Sequence, residues 1–393
     1  MSDLWRPLIS RDEWLLDPDV TFLNHGSFGA VPRTLMSQQR RLRDLMEHNP
    51  SHFFTFELPM GLRAAANRLA SFVGGFGSDY VFVENATAGC NSVLASIRLG
   101  PGDEILVTNH CYPAVLKAAK FYASRSGATV VEAEVPFPLN DETYVTEAVA
   151  SKLSSRTRLV ILDHVTSPTA IVFPVRELTA LCHNAGAQVL IDGAHAPGML
   201  SLDIPSIDAD WYVGNCHKWL MAPKGSGFLW VSSARQLEIH PLVISHGFGL
   251  GFTSEFDWVG TRDPTAWLAI PAAIDFHLRI GGQCLRERNV LLAQQGAREL
   301  AGRWKTELGS TIISAAAMAT VRTPTIGEAT PESALKLREF LLKDCRIDVV
   351  VIAFARSLWV RISAQAYNTF DDYNRLAEVM SALWSRSPSR PRT

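Results

Sequence analysis

The chain has 393 residues, enough for about two or three domains and for a core that needs no disulfide or metal staple. Hydrophobic residues make up 47% and charged residues 19%, which excludes a mostly disordered chain. Lys and Arg number 37 and Asp and Glu 39, a net charge of -2 with no long basic run before the tail, so no nucleic-acid partner is expected.

Met1 to Ser10 carries Asp3 and Arg6 and holds no apolar signal core. Strand-like and helix-like segments then alternate from about Tyr80 to Val231. Strands are predicted at 79–83, 104–108, 129–133, 159–163, 189–192, 211–213 and 227–231. Helices are predicted at 89–99, 114–126, 142–153 and 175–185. Short apolar strands joined by helices imply an α/β domain, its mostly parallel sheet covered on both faces. After Asp263-Pro-Thr the pattern changes. Helices are predicted at 266–277 and 283–307, a short β region near 310–321, and a helix near 331–344. Strands at 349–354 and 358–362 and a closing helix at 370–385 complete the chain. The expected organisation is an N-terminal arm (1–20), a large domain (21–269), a smaller α+β C-terminal domain (270–386) and a Ser/Pro/Arg-rich tail (387–393) that frays.

The longest aliphatic run, Val349 to Ala355, is far too short to span a bilayer, so no membrane partner is expected. Cys90, Cys111, Cys182, Cys216, Cys284 and Cys345 are scattered, with no CxxC pair and no metal-ligand spacing. Free thiols, no metal and a cytoplasmic location follow as expectations.

Five segments carry polar chemistry. In Leu190-Ile-Asp-Gly-Ala-His-Ala-Pro-Gly198 an apolar strand ends in Asp192, where open α/β sheets bind ligands. A turn or helix-capping aspartate is the plainer alternative. In Val213-Gly-Asn-Cys-His-Lys-Trp-Leu220, Lys218 sits among apolar residues. A lysine so placed has a depressed pKa and is a usable nucleophile, whereas most lysines are solvated. Lys224 is its rival. Glu84-Asn-Ala-Thr-Ala-Gly-Cys-Asn91 follows a strand and opens a helix, so its free N–H groups suit an anion. Gly260-Thr-Arg-Asp-Pro264 is a polar turn between domains. Trp359-Val-Arg-Ile-Ser363 puts Arg361 in an apolar strand, where it needs an anionic partner, a substrate carboxylate or a structural acid. Together these are the parts that pyridoxal 5'-phosphate requires: a phosphate cradle, an acid for the pyridine nitrogen, and an imine-forming lysine 26 positions further on (218 minus 192).

The sequence resembles the class V aminotransferase superfamily of pyridoxal-phosphate enzymes (fold type I), and within it the isopenicillin N epimerase group. The motifs that carry the resemblance are Asn24-His-Gly-Ser-Phe-Gly29, Asn85-Ala-Thr87, Asp163-His-Val-Thr-Ser-Pro-Thr169, Asp192-Gly-Ala-His195, His217-Lys218 and Gly260-Thr261-Arg262, with a weaker echo at Arg361. The resemblance implies a seven-stranded sheet and assigns roles. Lys218 would bind the cofactor aldehyde, Asp192 would face the pyridine nitrogen and His195 the phenolic oxygen. Ala86, Thr87 and His217 would hold phosphate and Asn85 would also bind the cofactor, with Thr261 reaching the phosphate of a neighbouring subunit in a homodimer with shared active sites. His110 or Tyr112 would stack on the ring face opposite Lys218. Ser167 would lie on the ring-oxygen side, and Arg361 would bind the substrate carboxylate. Asn24, His25 and Ser27 would form part of the substrate entrance. The related cysteine desulfurases carry a mobile-loop cysteine shortly before the matching arginine, and residues 346–359 contain none.

The reaction expected from the resemblance is epimerisation at Cα of an amino acid or small peptide with a free α-amino group. Lys218 is its base, and Tyr112 or His110 its acid. The alternative is β-elimination by a C–S lyase or cysteine desulfurase-like enzyme. A metal-dependent hydrolase built on Asp192, His195 and His217, and a silent scaffold, leave Lys218 or the cradle unexplained.

Overall fold

The computed structural model describes residues 6–312, 316–324 and 328–385; the expected tail at 387–393 lies outside them. The strands are β1 (Thr21–Phe22), β2 (Tyr80–Val83), β3 (Glu104–Thr108), β4 (Thr129–Ala133), β5 (Thr157–Asp163), β6 (Gln188–Gly193), β7 (Trp211–Asn215), β8 (Gly227–Val231), β9 (Met318–Arg322), β10 (Ile347–Asp348), β11 (Val350–Phe354) and β12 (Ser357–Ser363). Seven of them form one sheet in the order β2-β8-β7-β6-β5-β3-β4. All are parallel except β8, which runs against both neighbours.

Strand alternation divides the core between the two faces of this sheet. Val160, Leu162, Val189 and Ile191 point to one face, where they join the helix Val175–Asn184 through Val175, Leu178 and Cys182. Leu159, Ile161 and Leu190 point to the other, under Ala86, Cys90 and Val93 of the helix Ala86–Ser96. Because both faces are covered, β5, β6 and β7 have unbroken apolar centres, Leu159–Leu162, Val189–Ile191 and Trp211–Val213, with Asp163, Asp192 and Asn215 at or near their carboxyl ends.

The smaller layer is an antiparallel sheet, β11-β12-β9. Its core packs against the helices Gln283–Trp304, Pro331–Lys343 and Phe370–Ser385. Two long helices, Arg33–His48 and Leu58–Val73, precede the large sheet, joined through a single turn, Pro50–His52, and a π-helical turn at Phe53–Glu57. The helical run expected at 266–277 is broken into Thr265–Leu268 and Ile270–Arg279, with Pro271 in the first turn of the second piece, where its missing N–H costs nothing. Ile270–Arg279 falls in the segment expected to open the small domain. Its buried face, Ile270, Ala273, Ile274 and Phe276, shares a core with Leu69, Ala70 and Val73 of the helix Leu58–Val73. β1, just after the expected arm, pairs in parallel with β10 and so meets the C-terminal layer. Among the described residues no helix is long and apolar enough to cross a membrane.

Candidate active site

The carboxyl ends of β5, β6 and β7 open into a cavity of about 390 Å³. Asp163 ends β5, and its Cα partner across the ladder is Asp192 of β6. Paired positions on neighbouring parallel strands share a face, so both carboxyls lie side by side on the cavity floor, 2% and 4% exposed. Asp192 Oδ1 accepts the Ala194 amide at 2.9 Å, while Asp163 Oδ2 is buried without a hydrogen bond. Burial pushes both acids up, and the neighbouring Asp192 charge pushes Asp163 further. Two carboxylates this close resist being ionised together unless a cation arrives between them.

Lys218 follows β7 and lines the same cavity. Burial, with Arg361 next, pulls its amine down to about 7, against the attraction of Asp192 and Asp163. It is therefore a nucleophile and base near neutral pH. Its Nζ lies 3.1 Å from His195 Nε2. The rival Lys224 donates to the Gly29 carbonyl at 3.2 Å and does not line the cavity. Gly29 is required at that crossing: its φ is +69°, and a Cβ there would sit 2.1 Å from the His217 carbonyl oxygen.

The helix Ala86–Ser96 starts at the cavity wall. Asn85 caps it, its Oδ1 accepting the Ala88 amide at 2.9 Å. The Ala86 amide, expected to hold phosphate, already donates to Asn215 Oδ1 at 2.8 Å. Thr87, with the second amide of the helix and a hydroxyl, is left to face an anion. His217 also lines the cavity, with Nδ1 3.0 Å from the Ser226 carbonyl, and burial lowers its pKa to about 4. Nδ1 is then the donor, and a phosphate beside the ring has to bring Nε2 its proton. Thr261 is exposed and away from the cavity, and its neighbour Arg262 pairs with Glu84 and lies 4.7 Å from the Trp267 ring centroid.

The candidate carboxylate-binding residues separate. Arg361 is 4% exposed, on β12, and donates to the Ser167 carbonyl, to Ser167 Oγ at 3.3 Å and to Ser27 Oγ at 3.2 Å. Its Nε has no partner, and no carboxylate pairs with it among the described residues. Ser27 and Ser167 line the cavity in front of it. Asn24 stands behind Ser27, accepting its hydroxyl at 2.5 Å and donating to Asp348 at 3.0 Å. His25 is turned away: its ring nitrogens meet Tyr367 Oη at 2.8 Å and the Lys218 carbonyl at 3.1 Å. It fastens the arm rather than meeting a substrate. Tyr112 and His110 also separate. Tyr112 lines the cavity from the β3 side. His110 is fully buried, bonded to Thr169 Oγ1 at 2.7 Å and the Val135 carbonyl at 3.1 Å, with its ring 4.9 Å from Phe354.

The family model described as "Aminotransferase class-V" matches residues 34–376. The chain belongs to the class V aminotransferases. The L-cysteine desulfhydrase of Arabidopsis thaliana is 31% identical over 398 residues, 93% of this chain and 88% of that one. The isopenicillin N epimerase of Streptomyces clavuligerus is 33% identical over 396 residues, 95% and 97% of the two chains. A solved complex of the cystine C–S lyase C-DES with its product cysteine persulfide shares the fold, with a TM-score of 0.79 over 93% of this chain and 98% of that chain at 23% identity.

The cofactor of class V aminotransferases is pyridoxal 5'-phosphate, and the donor set of this member fits it. Lys218 is a carbonyl-reactive amine, the two acids offer a buried partner for a pyridinium, and Thr87 offers donors for phosphate. Sequence reasoning missed the side chain of Asn215, which holds the cradle helix from a strand 129 positions away. Its only sequence signal was its place at the carboxyl end of β7.

Proposed function

We propose that this enzyme acts on a single small α-amino acid, removing its α-proton and expelling a sulfur substituent from the β-carbon, as a C–S lyase. The carrying observation is the size of the site. About 390 Å³ has to hold cofactor and substrate together, near the lower end for ligand pockets, which favours an amino acid over a peptide. When bound, the cofactor supplies the aldehyde that takes the substrate amine and the ring that takes up the electron pair left at Cα. Asp192 holds the pyridine nitrogen's proton. Arg361, with Ser27 and Ser167, binds and orients the carboxylate. Lys218 takes the α-proton. The C–S bond breaks with its pair on sulfur, sulfur gains a proton, and water releases ammonia and a 2-oxo acid.

The segment before Arg361 supports release of free thiol or sulfide. It is a tight hairpin, β11 into β12 through Ala355 and Arg356, both at positive φ, and holds no cysteine to accept sulfur. A second reading, epimerisation, is favoured by Tyr112. In the sheet order, Tyr112 and Lys218 follow strands on opposite sides of β5 and β6, so an acid and a base flank the cavity.

A homodimer with shared sites belongs to the proposal. It is supported by the exposed run Leu242, Val243, Ile244, Phe248 and Leu250, and by the exposed Thr261. Purified enzyme supplied with pyridoxal phosphate and L-cysteine should release sulfide and pyruvate in equal amounts. Inverted amino acid without sulfide would replace elimination by epimerisation.

A further inference from the structure

Trp219 does not line the cavity, yet its ring nitrogen reaches a residue that does. The indole N–H donates to His195 Nδ1 at 3.2 Å. An indole nitrogen only donates, so Nδ1 has to be the bare nitrogen of the imidazole. Burial, with Lys218 and Arg361 behind it, holds His195 far below its usual pKa, so the ring is neutral. A neutral ring with a bare Nδ1 carries its proton on Nε2, the atom 3.1 Å from Lys218 Nζ. That N–H can donate only to the lone pair of a free amine. Facing an ammonium it would set hydrogen against hydrogen.

The indole has little freedom to turn. Trp219 is 1% exposed, and a Cβ on Gly26 would come within 3.2 Å of its ring. A Cβ on Gly198 would sit 2.6 Å from its backbone, and the His25 ring lies 5.1 Å away, centroid to centroid. The other charged groups around Lys218 are Asp192 on β6, Asp163 on β5 and Arg361 on β12. The acids favour an ammonium and the arginine opposes it. In the opposite tautomer, a bare Nε2 would side with the acids by accepting from an ammonium.

We propose that Trp219 is a positioning residue for Lys218: its indole N–H fixes His195 as the Nε2–H tautomer, which keeps the lysine a free amine before the cofactor arrives. The same N–H afterwards presents a donor to that part of the site. The inference goes beyond the proposed reaction and holds for elimination and epimerisation alike.

The test uses the full-length protein freed of cofactor. Histidine nitrogen NMR of 15N-labelled protein, assigned with His195→Gln, should show the Nε2–H form in the wild type and a shift toward Nδ1–H in Trp219→Phe. The pH dependence of pyridoxal capture, trapped with borohydride, should move its midpoint up by roughly one pH unit in that variant, the size of one reversed hydrogen bond. Trp304→Phe is the control, because that indole donates to the Ala377 carbonyl in the small domain and should move neither reading. A wild-type spectrum with His195 as Nδ1–H overturns the proposal without any tryptophan variant. So does a folded Trp219→Phe protein with an unchanged tautomer and midpoint.

Discussion

The two ends of the large sheet each hold a cavity, and they differ in kind. At the amino end, about 1120 Å³ opens between the ends of the helices Ala86–Ser96 and Pro113–Ser126 and the segment 237–244. Its polar side chains are solvated or paired: Glu238 with Arg235, His240 with Glu255 at 2.6 Å. At the carboxyl end, about 390 Å³ gathers the half-buried Lys218 with Asp163, Asp192 and His195, and with Arg361 behind, these four buried. The parallel strands explain the asymmetry, since each crossover helix begins at the carboxyl end and points its free N–H groups there. Chemistry follows charge held away from water rather than the larger volume.

The severest test of that contrast is Lys218→Ala. Product formation should fall roughly 100- to 10,000-fold, and borohydride should no longer fix cofactor to the protein. Arg361→Gln should raise KM about 10- to 100-fold with a smaller change in kcat, as the loss of a charge-assisted carboxylate contact does. Capture of cofactor by the free protein should slow about tenfold for each pH unit below about 7, because only the unprotonated Lys218 reacts. The sign follows from the depressed pKa: the amine is free above about 7 and charged below it. A midpoint near the usual lysine value would mean that the carboxyl-end cavity is wet.

The amino end should respond differently. Ile244→Glu places a charge in the exposed apolar run and should weaken self-association at least about tenfold, read by sedimentation, with activity falling on dilution. Glu238→Gln, on the wall of the larger cavity, should change turnover by less than about twofold. A strong loss there would break the contrast.

Most of the large sheet was legible because buried parallel strands leave unbroken apolar runs. Asp192 and Lys218 stood out for the same reason, as polar residues just past such runs. The helix Arg33–His48 is hard to see in the sequence because only Leu35 of it is buried. The choice between His110 and Tyr112 was hidden because they are two positions apart in one turn after β3. What separates them is Thr169, 59 residues away, which binds the His110 ring while Tyr112 lines the cavity. The neighbours of Ile270–Arg279 were not legible because a helix's apolar stripe does not say which layer it meets. Trp219 reads as core packing in any sequence; only the direction of one N–H gives it a further role.

The pairing of β1 with β10 sets an order of assembly. Asn24 finds Asp348 across 324 positions of chain, and the Leu23 carbonyl receives the Ser363 amide. During synthesis residues 21–30 therefore wait until β10 and β12 have emerged before they can close over the cavity. Leu23, wholly buried in the finished molecule, is exposed throughout that wait. Ser27 then reaches the cavity on the same segment, so that part of the wall is made early and is among the last to settle.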